Sequence, residues 1–160
     1  MFIDLSGESK NGEWFPLRMS VINPNTGEIE WSEPVEGHRV KVRSMKKFFE
    51  DRIEKRPREV EWKINPKSKV NEKHTNFKDL TIPEVKAERN DAYDYAIVGI
   101  EGFKDKKSRI PYECTRDVKL ALMEYDWFER FFLDCQQTLD TVGVEMEEKI
   151  GKNSPSGQLL

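Results

Sequence analysis

Residues 126–146 read DWFERFFLDCQQTLDTVGVEM. Phe128, Phe132, Cys135, Leu139, Val142 and Met146 follow one another at steps of four, three, four, three and four, the spacing that puts side chains on one face of a helix. Trp127 and Phe131 widen that stripe into a broad aromatic face. Asp126, with Glu129 three positions on, marks the helix start, and Gly143 weakens the helix by about 1 kcal/mol. Leaving these eight groups in water would cost about 1.5–3 kcal/mol each. They therefore belong either to the chain's own core or to a seam for a partner helix.

Upstream, the period changes along the chain. In residues 13–22, Phe15, Leu17, Met19 and Val21 alternate with mostly polar neighbours, which predicts a strand. Asn23-Pro24-Asn25-Thr26-Gly27 offers a hairpin turn, and Ile29 and Trp31 resume the alternation on the return. Residues 38–43 predict a third strand, with Val40 and Val42 on one face. Ser44 can cap a short helix to about residue 55. Val60, Trp62 and Ile64 predict a fourth strand, with Trp31 and Trp62 read as core-packing residues. Lysine-rich residues 66–79 read as an exposed loop. Thr81-Ile82-Pro83-Glu84 has capping-box spacing, and Val85, Ala92, Tyr93, Ala96, Ile97 and Ile100 give the helix it opens one apolar face. Thr115 or Asp117 can start another helix through Met123. The reading is an α+β fold: a small antiparallel sheet within residues 13–64, then three helices over about 82–148. Residues 1–11 are expected to be a flexible lead-in, 12–149 one domain, and 150–160 a disordered tail.

Composition bounds the function. The chain has 160 residues, of which 36% are charged. Leu, Ile, Val and Phe together number 39, enough for a thin core. The net charge of −3 is segregated: residues 1–37 carry −5, residues 38–89 carry +7 and residues 90–160 carry −5. No run approaches the roughly 20 apolar residues of a membrane span, and MFIDLSGESK lacks the basic start and apolar stretch of a secretory signal. Cys114 and Cys135 read as two free, partly buried thiols.

The sequence offers little chemistry. His38 and His74 are far apart and near neither cysteine, so no metal-ligand spacing exists, and no metal or cofactor is expected. Nucleophile-elbow, P-loop and dinucleotide-binding motifs are absent. Triads assemble in space, so this argues against an enzyme without closing the question. Arg39, Lys41, Arg43, Lys46, Lys47 and Lys63, interleaved with aromatic residues, could follow a phosphate backbone through the basic segment 38–73. Against that, the sequence pI is about 5.6, far from the basic value of a dedicated nucleic-acid domain.

One resemblance adds to this. AERNDAYDYAIVGIEGF at 87–103 leads into a charged tip with Asp105, followed by Lys107-Ser108, then Ile110-Pro111-Tyr112-Glu113-Cys114-Thr115, then KLALMEYDWFERFFLDCQQTL at 119–139 and KNSPSG at 152–157. Together with EWFPLRMS at 13–20, this succession resembles the tail assembly chaperones of long-tailed, siphovirus-like bacteriophages and prophages. The hairpin around residues 23–27 and residues 57–79 have no counterpart in the pattern. The resemblance implies a non-enzymatic protein of the bacterial host cytoplasm that binds the helical tape-measure protein, or another tail protein, during tail morphogenesis. It carries no catalytic residues. An aromatic, adaptable face would suit such a partner, and Met123, Trp127, Phe128, Phe131, Phe132, Leu139 and Met146 are the residues expected to supply it. Homo-oligomers, another phage structural or connector component, and a nucleic-acid-binding accessory protein are the other readings.

Overall fold

The computed structural model describes the backbone of residues 11–153 and the side chains of residues 11–141. The fold is α+β. Its elements are β1 (Glu13–Pro16), β2 (Ser20–Ile22), β3 (Ile29–Trp31), β4 (Arg39–Val42), α1 (Lys46–Glu54), β5 (Arg58–Ile64), β6 (Asn71–Phe77), α2 (Ile82–Ala96), β7 (Ile97–Glu101), α3 (Arg116–Met123) and α4 (Asp126–Asn153). The chain divides into two compact units where a single domain over 12–149 was expected. Among the described residues, one comprises 11–45 and 93–153, the other 46–92.

In the first unit, β1, β4 and β7 form an antiparallel sheet with β4 in the middle. Val40 and Val42 point to its inner face and are fully buried, as the alternation of residues 38–43 requires. They pack with Leu17, Ala96, Ile97, Met123, Phe128, Phe131, Phe132 and Cys135. The helix expected through residue 100 stops at Ala96, and Ile97–Glu101 pairs with β4 instead. Apolar residues at 97, 98 and 100 satisfy a strand as readily as a helix face, and sheet pairing decided between them. Gly99 then has a use. It lies opposite Lys41, and a Cβ there would stand 3.0 Å from the Trp14 ring, so the glycine lets the indole lie across the strand. The turn at 23–27 closes β2 onto β3 as a separate ribbon.

Local signals hold at several helix starts. Thr81 and Glu84 form the reciprocal capping box, at 3.3 and 3.4 Å. Thr115 caps α3, accepting from the Val118 N–H at 3.4 Å. The Ser44 hydroxyl, just ahead of α1, donates to Asp140 at 2.8 Å. Residues 150–153, expected in the tail, continue α4. Residues 1–10 and 154–160 lie outside the described residues.

The second unit holds α1, the β5–β6 hairpin and most of α2. Half of the loop expected at 66–79 is strand: residues 71–77 pair with β5 over their whole length. Their alternation is nearly all polar, so the sequence carried no hydrophobic period to reveal them. Arg52 reaches Asp91 at 2.8 Å, and Arg56 reaches Glu88 at 2.5 Å, linking α1 and its exit to α2.

Candidate interaction surface

The aromatic stripe of α4 is core. Phe128 and Phe132 are fully buried, and Phe131 and Met123 nearly so. Trp127 and Leu139 are partly buried against the same cluster. Rings interlock edge-to-face: Tyr93 with Phe132 at 5.6 Å, Phe103 with Phe128 at 6.2 Å and Trp127 with Phe128 at 5.8 Å. Phe128, Phe131 and Phe132 are therefore not the partner contact expected of them. The sheet's inner face was there to cover them, which helical spacing alone could not reveal. The Met146 side chain lies outside the described residues.

Both thiols are free. Desolvation, then the neighbouring Asp134 carboxylate, pushes the Cys135 thiol up to about 12. Burial likewise raises Cys114. Neither is held as a reactive thiolate. No group of three His, Cys, Asp or Glu side chains converges on a metal-sized space among the described residues, and no described helix is long and apolar enough to cross a membrane.

The basic residues are partly committed within the chain. Arg39 lies opposite Glu101 across the strands, bonds it at 2.5 and 2.8 Å, and stacks 4.1 Å over Trp14. Lys41 stands 6.0 Å from the same ring. Arg43 donates to the Tyr95 carbonyl at 2.6 Å beneath that residue's ring. Lys63 pairs with Glu61 on its own strand at 3.5 Å. Lys46 and Lys47 open α1. The first three fall in one unit and the last three in the other.

Large apolar side chains are exposed in both units, Val21, Ile110 and Tyr125 among them in the first, and in the second they include a row on the β5–β6 hairpin. Period two puts Val60, Trp62 and Ile64 on one face of β5, and register adds Asn71, Lys73, Thr75 and Phe77 from β6. Trp62 is 64% exposed, so it is not the core residue the sequence suggested; Ile64 is 67% exposed and Val60 52%. Phe77 also lines an open groove of about 610 Å³ with Phe49, Leu80 and Val85. Lys78, Arg89 and Asp79 stand around it, Arg56 and Glu88 pair at one side, and Ile82 and Lys86 continue the surface along α2. Only Ala92 is buried among the residues of this unit. A 47-residue unit so thinly packed leaves most of its large apolar side chains uncovered. Sequence reading missed this surface because β6 was hidden in a polar stretch. Without β6, nothing showed that Trp62 had only Lys73 opposite it.

No protein-family model matches the chain, and neither a curated protein nor a solved structure matches it.

Proposed function

We propose that this chain is a non-enzymatic tail-assembly chaperone, working in the cytoplasm of a bacterial host, that holds an apolar stripe of the helical tape-measure protein. One observation carries the reading: the 46–92 unit exposes Val60, Trp62, Ile64, Phe77, Ile82 and Val85 and buries almost nothing of its own. Such a surface lowers its free energy by taking up apolar area from another polypeptide. The succession of motifs over residues 87–139 supports the family reading.

Charge narrows the partner. The 46–92 unit carries thirteen basic and ten acidic side chains, whereas the whole chain is net −3. Lys78, Lys86 and Arg89 flank the groove. A helix with an apolar stripe and acidic flanks fits it, the groove-binding mode of amphipathic helices. The partner contact thus moves from α4 to the hairpin and α2.

Co-expression with the tape-measure protein tests the reading. The wild-type chain should yield a soluble complex. Trp62→Asp with Val85→Asp should abolish it while the β1–β4–β7 unit keeps its melting transition. A complex that survives the double substitution, or a tape-measure protein equally soluble without the chain, overturns the proposal.

A further inference from the structure

The outer edge of β5 has no strand beside it among the described residues. The hairpin's end bonds reveal which groups point to that edge. Asn65 donates to the Val70 carbonyl, and Lys78 donates to that of Pro57, both at 3.0 Å. In an antiparallel ladder such bonded pairs alternate with unbonded ones. Odd-numbered residues of β5 therefore bond inward to β6. The backbone N–H and C=O groups of Arg58, Val60, Trp62 and Ile64 face outward. A seven-residue strand with a free edge and an apolar face is a template for pairing. A lone two-stranded ribbon is also marginal in water, and about three or more strands give independent stability.

We infer that two copies of this chain join through β5, antiparallel about a twofold axis at Trp62, to make a four-stranded sheet. The β5 sequence Arg58-Glu59-Val60-Glu61-Trp62-Lys63-Ile64 is self-complementary in that register. Trp62 faces the second copy's Trp62, and Val60 faces its Ile64, all of them residues whose backbone groups point outward. On the opposite face, Glu61 meets the second copy's Lys63, and Lys63 meets its Glu61. Shifting the register by two in either direction sets Glu61 against Glu61 or Lys63 against Lys63, which like-charge repulsion opposes. An isologous contact of this kind closes after two chains. The β6 edge offers no such match, since Phe77 is its only large apolar residue. Pairing through β5 also lays the two Val60-Trp62-Ile64 rows side by side, doubling the apolar face. The inference goes beyond the proposed partner and does not rest on it.

The full-length chain tests it alone, so failure here is distinguishable from failure of the co-expression experiment. Sedimentation equilibrium should show a dimer. Lys63→Glu should weaken it by about tenfold or more by setting carboxylates in opposition across the axis. Adding Glu61→Lys restores the cross-copy match and should restore the dimer. Both variants set residue 63 beside Glu72, but the swap also restores the intrachain 61–63 ion pair, so circular dichroism is read beside sedimentation. Lys63→Glu should keep the wild-type spectrum while losing the dimer, and a spectrum that loses strand content together with the dimer overturns the inference. In a Cys114→Ser background, Trp62→Cys should oxidise to a disulfide-linked dimer, because facing residues in a bonded antiparallel pair stand about 5.5 Å apart. Ile64→Cys, whose equivalent lies several residues away, should not. A monomer at about 100 μM, roughly a hundredfold above a micromolar Kd, overturns the inference. So does failed rescue by the charge swap, or cross-linking through residue 64 as readily as through residue 62.

Discussion

The side chain of Gln136 holds the chain leaving β4: its amide donates to the Arg43 carbonyl at 2.8 Å, and its oxygen accepts from the Met45 N–H at 2.9 Å. Gln136 is almost fully buried on α4, next to Cys135. It satisfies backbone groups just where the chain passes from one unit to the other.

Gln136→Leu keeps the volume and removes both bonds. The Met45 N–H and Arg43 carbonyl then lose their partner, at a cost of about 1–3 kcal/mol. Denaturant unfolding of the variant should show that loss with the slope against denaturant unchanged. A change under about 0.5 kcal/mol would mean that water replaces the amide.

Phe128 and Phe132 are fully buried in the core, each with edge-on ring partners. Phe128→Ala should destabilise the first unit by about 3–5 kcal/mol, through lost transfer energy and the cavity left behind. Phe128→Asp with Phe132→Asp should abolish cooperative unfolding. Retention of a cooperative transition by the double variant would show that α4 can leave the sheet without loss of the fold.

Gly102 has φ of +93°, and a Cβ there would stand 2.4 Å from the Gly37 carbonyl oxygen and 2.9 Å from the His38 ring. Gly102→Ala combines backbone strain with collision against main chain, so the loss should exceed about 1 kcal/mol. Gly27→Ala shares a positive φ but meets nothing within 4 Å. Comparing the two melting temperatures separates strain from collision, and Gly102→Ala should fall further.

Asp105 organises the loop after β7. It accepts from the Ser108 N–H at 2.7 Å, the Tyr112 hydroxyl at 2.9 Å, the Ser108 hydroxyl at 3.0 Å and the Lys107 N–H at 3.0 Å. These bonds, the Ser108 N–H foremost, draw its carboxyl down to about 2 from 3.8. A depressed folded value means that the ionised form favours the ordered loop. That contribution is full above pH about 4 and disappears as pH falls through about 2. The same bond raises the Tyr112 hydroxyl. Carbon-13 titration of the Asp105 carboxyl should give a midpoint near 2, and Asp105→Asn should return Tyr112 toward the ordinary phenol value. An Asp105 midpoint near 4 would show that the loop bonds are not kept in solution.

Much was legible in the residues alone. The capping pairs at 81–84 and 115–118, the turn at 23–27, the strand at 39–42 and the long helix from Asp126 each follow from short-range rules. Capping, turn geometry and side-chain period act within a few residues. The free energy behind the α4 stripe was legible too, since eight large apolar groups on one helix must be covered.

What covers them was not legible. Ile97 and Ile100 suit a helix or a strand. Only the open edge of β4 made residues 97–101 a strand, and that strand helped to complete the surface that buries Phe128 and Phe132. Residues 71–77 have no apolar period, yet they pair along their full length with β5, because backbone hydrogen bonds need no particular side chain. That pairing left Trp62 facing water. The sequence determined which residues are apolar and at what period they recur. The tertiary structure decided which of those faces met another part of the same chain, because burial depends on surfaces brought together across long separations and not on spacing within one segment.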